Sequence, residues 1–291
     1  MRLFRKIADT FLFGNIFVAI CAYFLTLQDF YFLGKVALIN PLALFVFFST
    51  LFVYNYRKFF FASKDLTPPF TQRGAWVFKN RHILGFLTAF ALIGILLTFW
   101  RLSMPTLLLL GPCFLLSIAY ASNLSNNKFS NWRLRQIPFL KIFLVAIVWT
   151  LVTVVLPILE TDFQSIFSIK TAFSCLTRFL FIFAITIPFD VRDIAIDRNN
   201  LIKTLPTAFG EKKSILLACC VLLVFSMINI WSLEFVIENE HSMAIGKAIS
   251  GIISLIFVSQ SSATSSDQYV SFWLEGLMIQ QFILIGMLQY I

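Results

Sequence analysis

Runs of about 20 apolar residues recur along the whole 291-residue chain and alternate with short polar segments. Because an α-helix rises about 1.5 Å per residue, each run can cross the ~30 Å hydrocarbon core of a bilayer. No soluble domain fits between the runs, so the pattern predicts an all-α polytopic membrane bundle forming a single domain over residues 1–291. The predicted spans are residues 11–27, 36–54, 83–100, 104–121, 139–159, 171–189, 214–233, 242–259 and 270–290.

Composition supports a membrane protein. The mean hydropathy is +0.87 and charged residues make up only 13% of the chain, against about 25% in soluble domains. The basic N-terminus "MRLFRKIADT" precedes an apolar run that is too long and too bulky for a signal peptide. We therefore interpret that run as the first span.

The basic residues predict an orientation. With the N-terminus in the cytoplasm and nine alternating spans, most of the 23 lysines and arginines fall on the cytoplasmic side, as the positive-inside rule requires. The C-terminus is then outside, and the predicted location is a bacterial inner membrane. The net charge of +9 is explained by topology and attraction to membrane lipids, so it does not indicate a nucleic-acid partner. The remaining basic residues are Lys35, Arg101, Lys170, Arg178 and Lys247.

Several kinds of site are disfavoured. The five cysteines all lie in apolar runs without a Cys-x-x-Cys pair, which predicts neither a disulfide framework nor a zinc site. With only two histidines, a histidine metal site is nearly excluded. Phenylalanine is abundant, at 36 residues. This abundance fits either lipid-facing bulk or an aromatic pocket that shields a cation, and the composition does not decide between them.

Three carboxylates gather at the end of the sixth predicted span, at Asp190, Asp193 and Asp197. If the helix continues past Pro188, an advance of about 100° per residue places all three on one face. Like charges on one face require a positive partner. That partner is either a neighbouring arginine, with the group serving as a solvated helix end, or Mg²⁺, which prefers carboxylate and phosphate oxygens.

The stretch "RDIAIDRNNLIKTLP", residues 192–206, resembles the second aspartate-rich motif of the UbiA superfamily of intramembrane prenyltransferases. Asp193 and Asp197 match its acidic pair, and the Lys-Thr-Leu-Pro that begins at Lys203 matches its tail. The nine predicted spans and their orientation are also similar to that family along the whole chain. Lys141, at the start of the fifth span, is a weaker likeness.

The first motif of the family departs from the expected pattern. It should lie at the end of the second span, as an Asn followed by spaced aspartates. Asn55 matches the Asn, but Phe59 stands where an Asp is expected. Arg57 and Lys58 bring positive charge instead, and Asp65 is the nearest acid.

The resemblance implies a reaction and a set of roles. Mg²⁺ and a prenyl diphosphate would meet at the acidic motif, and the prenyl group would pass to an aromatic, quinone-precursor or similar lipid-soluble acceptor. Asp190, Asp193 and Asp197 would hold the metal, with Asn55 and Lys203 in the catalytic site. The substrate-binding residues would be Arg57, Lys58, Lys141 and Lys203.

Two other functions stay open. The degenerate first motif fits a non-catalytic relative that binds an isoprenoid lipid or a partner enzyme. A transporter would use Arg178, a charge inside the sixth span, as part of an ion path, but the chain shows no convincing repeat. Asp267, in the polar segment 262–268, is interpreted as part of a connector.

Overall fold

The fold comes from a computed structural model, which describes residues 2–32, 37, 39–61, 72–121, 139–199, 201–234 and 241–289. Every regular element within these residues is helical, which confirms the predicted all-α class. The α-helices are α1 (Arg2–Phe13), α2 (Ile16–Phe32), α3 (Pro41–Phe61), α4 (Gln72–Lys79), α5 (Arg81–Phe99), α6 (Met104–Ala121), α7 (Leu140–Thr150), α8 (Leu156–Thr161), α9 (Ile169–Arg192), α10 (Ile194–Asn199), α11 (Leu205–Phe209), α12 (Glu211–Trp231), α13 (His241–Ser259) and α14 (Glu275–Gln289). Short 3₁₀ turns and two π-helical segments, Leu151–Val155 and Tyr269–Leu274, lie between some of them.

Six helical segments in the described part of the chain are long and apolar enough to cross a bilayer, so this is an integral membrane protein. They are Arg81–Phe99, Leu140–Thr161, Ile169–Arg192, Glu211–Trp231, His241–Ser259 and Tyr269–Gln289. The bent pair α1–α2 becomes a seventh if it counts as one span. Two shorter apolar helices, Pro41–Tyr56 and Met104–Leu115, overlap the second and fourth predicted spans. The predicted count of nine is therefore not confirmed.

The first predicted span contains a break that hydropathy does not predict. α1 and α2 meet at an angle of 54°, and Asn15 between them has a φ of 60°. Asparagine is one of the few residues that adopt this left-handed conformation readily. Hydropathy averaged over a window of about 20 residues does not show the break, because Gly14 and Asn15 are flanked by apolar residues. The break directs a buried polar side chain into the bundle.

α9 lies in the main hydrophobic core. Phe181 and Ile187 on α9 are fully buried and belong to one cluster with Leu222 of α12 and Ile142 of α7. Lipid tails are as apolar as these side chains, so close packing and small residues stabilise the contacts between helices. Gly251 is an example, because a Cβ atom there would collide with Ser226 and Phe225 of α12.

Around the end of α9, the chain forms a series of short helices. α9 includes Pro188 without ending there, and stops at Arg192. The backbone leaves helical geometry at Asp193, with φ −86° and ψ 6°, and α10 and α11 follow. Thr204 begins α11 through a reciprocal capping box with Thr207. We call this part of the bundle, where α9 meets α10, the aspartate end.

An apolar cavity of about 370 Å³ lies between α2, α3, α5, α6 and the α7 segment. Aromatic side chains contribute to its wall, among them Phe45, Phe52, Phe114 and Trp149. Other phenylalanines, such as Phe86, are exposed on the outside of the bundle. Phenylalanines therefore lie both on the outer surface and in the wall of a cavity, and the shielding of a cation by that wall stays a prediction.

Candidate functional site

Lys141 joins two of the predicted aspartates. Its Nζ atom lies 2.5 Å from Oδ1 of Asp190 and 3.7 Å from Oδ2 of Asp197. Both carboxylates are buried, and Lys141 in the first turn of α7 reaches them because α7 packs along α9. Lys141, which resembles the family only weakly in sequence, thus lies between the carboxylates of α9 and α10. An ammonium group between two acidic oxygens occupies a place suited to a cation.

Asp193 has a different partner. Its two oxygens accept hydrogen bonds from Nε and Nη2 of Arg192 at 2.8 and 3.1 Å. Burial opposes its negative charge, but the Arg192 guanidinium and then Lys141 lower the pKa of the Asp193 carboxyl below its ordinary value. The predicted continuous helix face is therefore wrong in detail. The helix breaks at Asp193, and the three carboxylates are divided between Lys141 and Arg192.

A second polar group lies at the bend between α1 and α2, and we call it the Asn15 cluster: Asn15, Asn55, Lys58 and Arg73. The Oδ1 atom of Asn15 accepts hydrogen bonds from Nζ of Lys58 at 3.0 Å and from Nη2 of Arg73 at 2.5 Å. Its Nδ2 atom donates to Oδ1 of Asn55 at 2.7 Å. Asn15 and Asn55 are both fully buried. Asn15 therefore binds Lys58 of α3 and Arg73 of α4 through its amide oxygen, and the neutral amide of Asn55 lies beside them.

Asp267 connects the two groups. Its Oδ2 atom accepts a hydrogen bond from the backbone N–H of Arg73 at 2.9 Å, and its Oδ1 atom lies 3.4 Å from Nη1 of Arg192. The chain of contacts thus runs from Asp193 through Arg192 and Asp267 to Arg73. Segment 262–268 does connect α13 to the π-helical segment Tyr269–Leu274, and the carboxylate of Asp267 in addition joins α4 to the aspartate end.

Glu275 adds a buried carboxylate close to these cations. It follows the π-helical segment Tyr269–Leu274, a distortion that is frequent at functional sites. The Glu275 carboxylate interacts electrostatically with Arg73, Lys58 and Arg192. Burial is the main influence that lowers the pKa of Arg73, and the Glu275 carboxylate opposes that influence.

The other predicted residues have different surroundings. Asn55 uses its amide within the protein, since Nδ2 donates to the carbonyl of Gly14 at 2.9 Å. Lys203 is exposed, and its backbone carbonyl accepts a hydrogen bond from the N–H of Phe139 at 3.0 Å. Asp65 and the side chain of Arg57 lie outside the described part of the chain.

The fit to a divalent cation is partial. Within the described ranges, no three His, Cys, Asp or Glu side chains are grouped as metal ligands. However, Oδ2 of Asp190 is buried and no described donor forms a hydrogen bond with it. An oxygen of this kind suits Mg²⁺. We call Asp190, Asp193 and Asp197 the acidic side of the site and the Asn15 cluster its cationic side. The acidic side can therefore contribute ligands to one cation, together with substrate oxygens.

Arg178 lies apart from this site. Its Nη2 atom is 2.5 Å from Oδ2 of Asp29 on α2, and both side chains are buried. Lys247 also acts electrostatically on Asp29. The charge inside the sixth predicted span therefore has a carboxylate partner, as buried charges require.

Sequence reasoning missed Asn15, Asp29 and Glu275, and gave Arg73 no role of its own. The available signals were single polar residues inside apolar runs. A glycine-asparagine pair interrupts one run, and a lone glutamate interrupts another. Such residues are costly in a bilayer unless they have partners, and only the fold shows which partners they have.

Comparisons with known proteins identify one family and two solved structures of similar fold. The model of the UbiA prenyltransferase family matches residues 76–274, which is well over half of the chain. A UbiA homolog from Archaeoglobus fulgidus bound to GPP and Mg²⁺ superposes with a TM-score of 0.64 at 10% identity, covering 98% of this chain and 100% of that one. A structure from work on digeranylgeranylglyceryl phosphate synthase in membranes gives a TM-score of 0.55 at 14% identity, covering 99% and 100%. No curated protein sequence matches the chain.

Proposed function

The chain belongs to the UbiA prenyltransferase family, and we propose that it is an intramembrane prenyltransferase. It would move an isoprenyl group from a prenyl diphosphate to an aromatic, quinone-precursor or similar acceptor dissolved in the membrane. The observation that carries the proposal is the pairing of buried Asp190 and Asp197 on Lys141, next to a network that reaches two further cations. A diphosphate group needs such an arrangement of charge at the edge of an apolar bundle.

The apolar cavity supports a place for the prenyl chain. Its wall includes Val53 and Tyr54, which directly precede Asn55 of the Asn15 cluster in the sequence. A chain that extends from a diphosphate at the aspartate end would meet this wall. Its volume of about 370 Å³ is in the usual range for ligand sites. The aromatic rings of the wall would also stabilise a developing allylic cation.

In the proposed reaction, the bond between the allylic carbon and the diphosphate oxygen breaks, and its electron pair leaves with the diphosphate. The acceptor then supplies the electron pair for the new bond to carbon and releases a proton. Lys58 and Lys141 would bind diphosphate oxygens, while Lys203 and Arg57 would contact the substrate where it enters. Asn55 would act as a positioning residue, because its amide holds Asn15.

The proposed cofactor is Mg²⁺, with Asp190, Asp193 and Asp197 as the ligands. When bound, the ion would neutralise charge on the leaving diphosphate. We also propose that the chain works as a single domain in a bacterial inner membrane. Its N-terminus would be cytoplasmic and its C-terminus outside, so that the aspartate end faces the cytoplasm.

A transfer assay tests the proposal. Purified protein in lipid nanodiscs, Mg²⁺, a labelled prenyl diphosphate and a panel of phenolic and quinone-precursor acceptors should yield a prenylated product. Asp193→Asn should reduce the rate by about 10²-fold or more, since the loss of one preorganised charged group has effects of that size. Glu160→Gln is the matched control, because Glu160 lies outside the aspartate end and glutamine can still accept the hydrogen bond from Ser103.

One observation favours a non-catalytic relative as the second candidate. The position where the family places a first acidic motif holds Phe59 and Lys58 in this chain. That candidate predicts binding of the prenyl diphosphate or an isoprenoid lipid without product from any acceptor. Product formation that disappears in Asp193→Asn would exclude it, whereas tight binding without turnover would favour it over the enzyme.

A further inference from the structure

The Asn15 cluster contains positive charge in an unusual setting. The hydrogen-bond acceptor shared by Lys58 and Arg73 is the neutral amide oxygen of Asn15. A structural cation in a membrane bundle normally has a carboxylate as its direct partner, as Arg178 does with Asp29. Here an uncharged side chain aligns the two cations, while the buried carboxylate of Glu275 acts on both electrostatically.

Arg73 also has an unused donor. Its Nε atom is buried and has no hydrogen-bond partner among the described residues. A buried guanidinium N–H without an acceptor is costly, since such groups are normally satisfied. The guanidinium fork matches two oxygens of a phosphate. The orphaned Nε therefore indicates that an anionic ligand completes this group.

The position of the cluster identifies the ligand class. Lys58 lies one residue from Phe59, where the first acidic motif is expected, and Arg73 is close enough to Asp193 for their charges to interact. Asp267 and Arg192 connect the two sides through the contacts described above. An anion bound by Lys58 and Arg73 would therefore lie opposite the acidic side, where the prenyl diphosphate is proposed to bind.

We infer that Lys58 and Arg73, aligned by Asn15, bind the diphosphate group of the substrate directly and replace the metal-binding role of the missing first acidic motif. The inference rests on the proposed function. Lys58 supplies a point charge and Arg73 a two-pronged donor, so part of the affinity for prenyl diphosphate requires no divalent cation. Asn15 is a positioning residue that presents both cations.

The test compares binding with and without metal in the unmodified protein. Geranyl diphosphate is titrated into protein in nanodiscs, once with Mg²⁺ and once with EDTA. We expect the dissociation constant in EDTA to stay within about tenfold of that in Mg²⁺, since hydrogen bonds to charged groups supply affinity of that order. Inorganic diphosphate should compete in EDTA. Binding in Mg²⁺ that is lost in EDTA would overturn the inference and leave the proposed function intact.

Variants assign the metal-free affinity to residues. Lys58→Gln and Arg73→Gln should each weaken binding in EDTA by about tenfold or more, whereas Arg73→Lys should recover part of the loss. Asn15→Gly keeps the positive φ accessible but removes the shared acceptor, so it should weaken EDTA binding more than Mg²⁺ binding. Lys79→Gln, an exposed lysine on the same short helix as Arg73, is the matched control.

The possible outcomes distinguish a failure of the direct diphosphate contact from a failure of the proposed function. If Lys58→Gln and Arg73→Gln bind like the unmodified protein in EDTA, the inference is overturned even where the protein transfers prenyl groups. If geranyl diphosphate fails to bind in both Mg²⁺ and EDTA, the proposed function itself fails. Thermal unfolding of each variant in the same nanodiscs identifies any protein that has lost its fold. The comparison of geranyl diphosphate binding in Mg²⁺ and in EDTA uses the unmodified chain, so it does not depend on any variant.

Discussion

The acidic and the cationic sides of the site differ in how they are built. On the acidic side, two neighbouring helices present Asp190 and Asp197 within a short stretch of chain, and the single ammonium group of Lys141 contacts both. On the cationic side, Asn15 at a helix bend collects Lys58 and Arg73 from two other helices. The carboxylates of the acidic side are close in sequence, whereas the cationic side is assembled from distant segments. The proposed site would thus keep the acidic motif on one side and carry positive charge where the first acidic motif is expected.

The largest effect is expected from removing the acidic side. Asp190→Asn keeps the shape of the side chain but leaves Lys141 without its closest counter-ion. Breaking a buried pair costs about 3–5 kcal/mol, and the transfer rate should fall by about 10²–10³-fold. Thermal unfolding and the prenyl-transfer assay measure the two effects.

The double variant Asp190→Asn with Lys141→Met separates stability from function. Removing both charges should restore part of the lost stability, because no ammonium is left without its closest counter-ion, although Asp197 loses its contact with Lys141. The transfer rate should stay low. A double variant that regains transfer would show that the pair is purely structural, and that outcome would remove the acidic side from the proposed site.

A carboxylate at the centre of the cationic side should have the next largest effect. Asn15→Asp is nearly isosteric and tolerates the positive φ. Two unit charges about 4 Å apart interact by roughly 1–4 kcal/mol at effective dielectric constants of about 80 to 20. Binding of geranyl diphosphate in EDTA should therefore weaken by about tenfold, and Mg²⁺ should restore much of it. Equal affinities for Asn15→Asp and the unmodified chain would contradict the assigned role of the cluster.

Filling the apolar cavity tests whether the prenyl chain lies there. A Cβ atom on Gly111 meets nothing within 4 Å, and Gly111 contributes to the cavity wall. Gly111→Leu should therefore fold, keep its affinity for inorganic diphosphate, and lose about tenfold in transfer of long prenyl chains relative to short ones. Gly286→Leu has equal space outside the residues that line this cavity and should leave chain-length preference unchanged.

Lys203 should have the smallest effect. Its side chain is exposed, and exposed charges contribute about 0.2–1 kcal/mol. Lys203→Gln should therefore raise the Michaelis constant for prenyl diphosphate by only about two- to threefold, with a stronger effect at low salt. Loss of transfer by 10²-fold in this variant would place Lys203 in the reaction centre rather than at the entrance.

The sequence predicted the parts of the molecule that depend on local pattern. Hydropathy runs located the long helices, such as α9 and α12, because each must be apolar over its own length. The spacing of Asp190, Asp193 and Asp197 predicted the acidic side, because each carboxylate is about one helical turn along the chain from the next. The break at Asp193 changed their partners but kept them at one end of the bundle.

The parts that were missed depend on contacts between distant segments. Asn15 meets Asn55 across 40 residues and Arg73 across 58 residues. Arg178 meets Asp29 across 149 residues. A single sequence contains no signal for such pairs beyond the cost of each lone polar residue in an apolar run. The bend at Asn15 was also hidden because its flanking residues are apolar.

The most direct measurement is an experimental structure with a non-hydrolysable geranyl diphosphate analogue and Mg²⁺. We predict that the diphosphate lies between the two sides, with its oxygens about 3 Å from Nζ of Lys58 and from the Arg73 guanidinium. Metal would be present on the side of Asp190 and Asp197 only. A diphosphate bound away from Lys58 and Arg73, or a second metal ion in their place, would contradict the inferred role of these two residues.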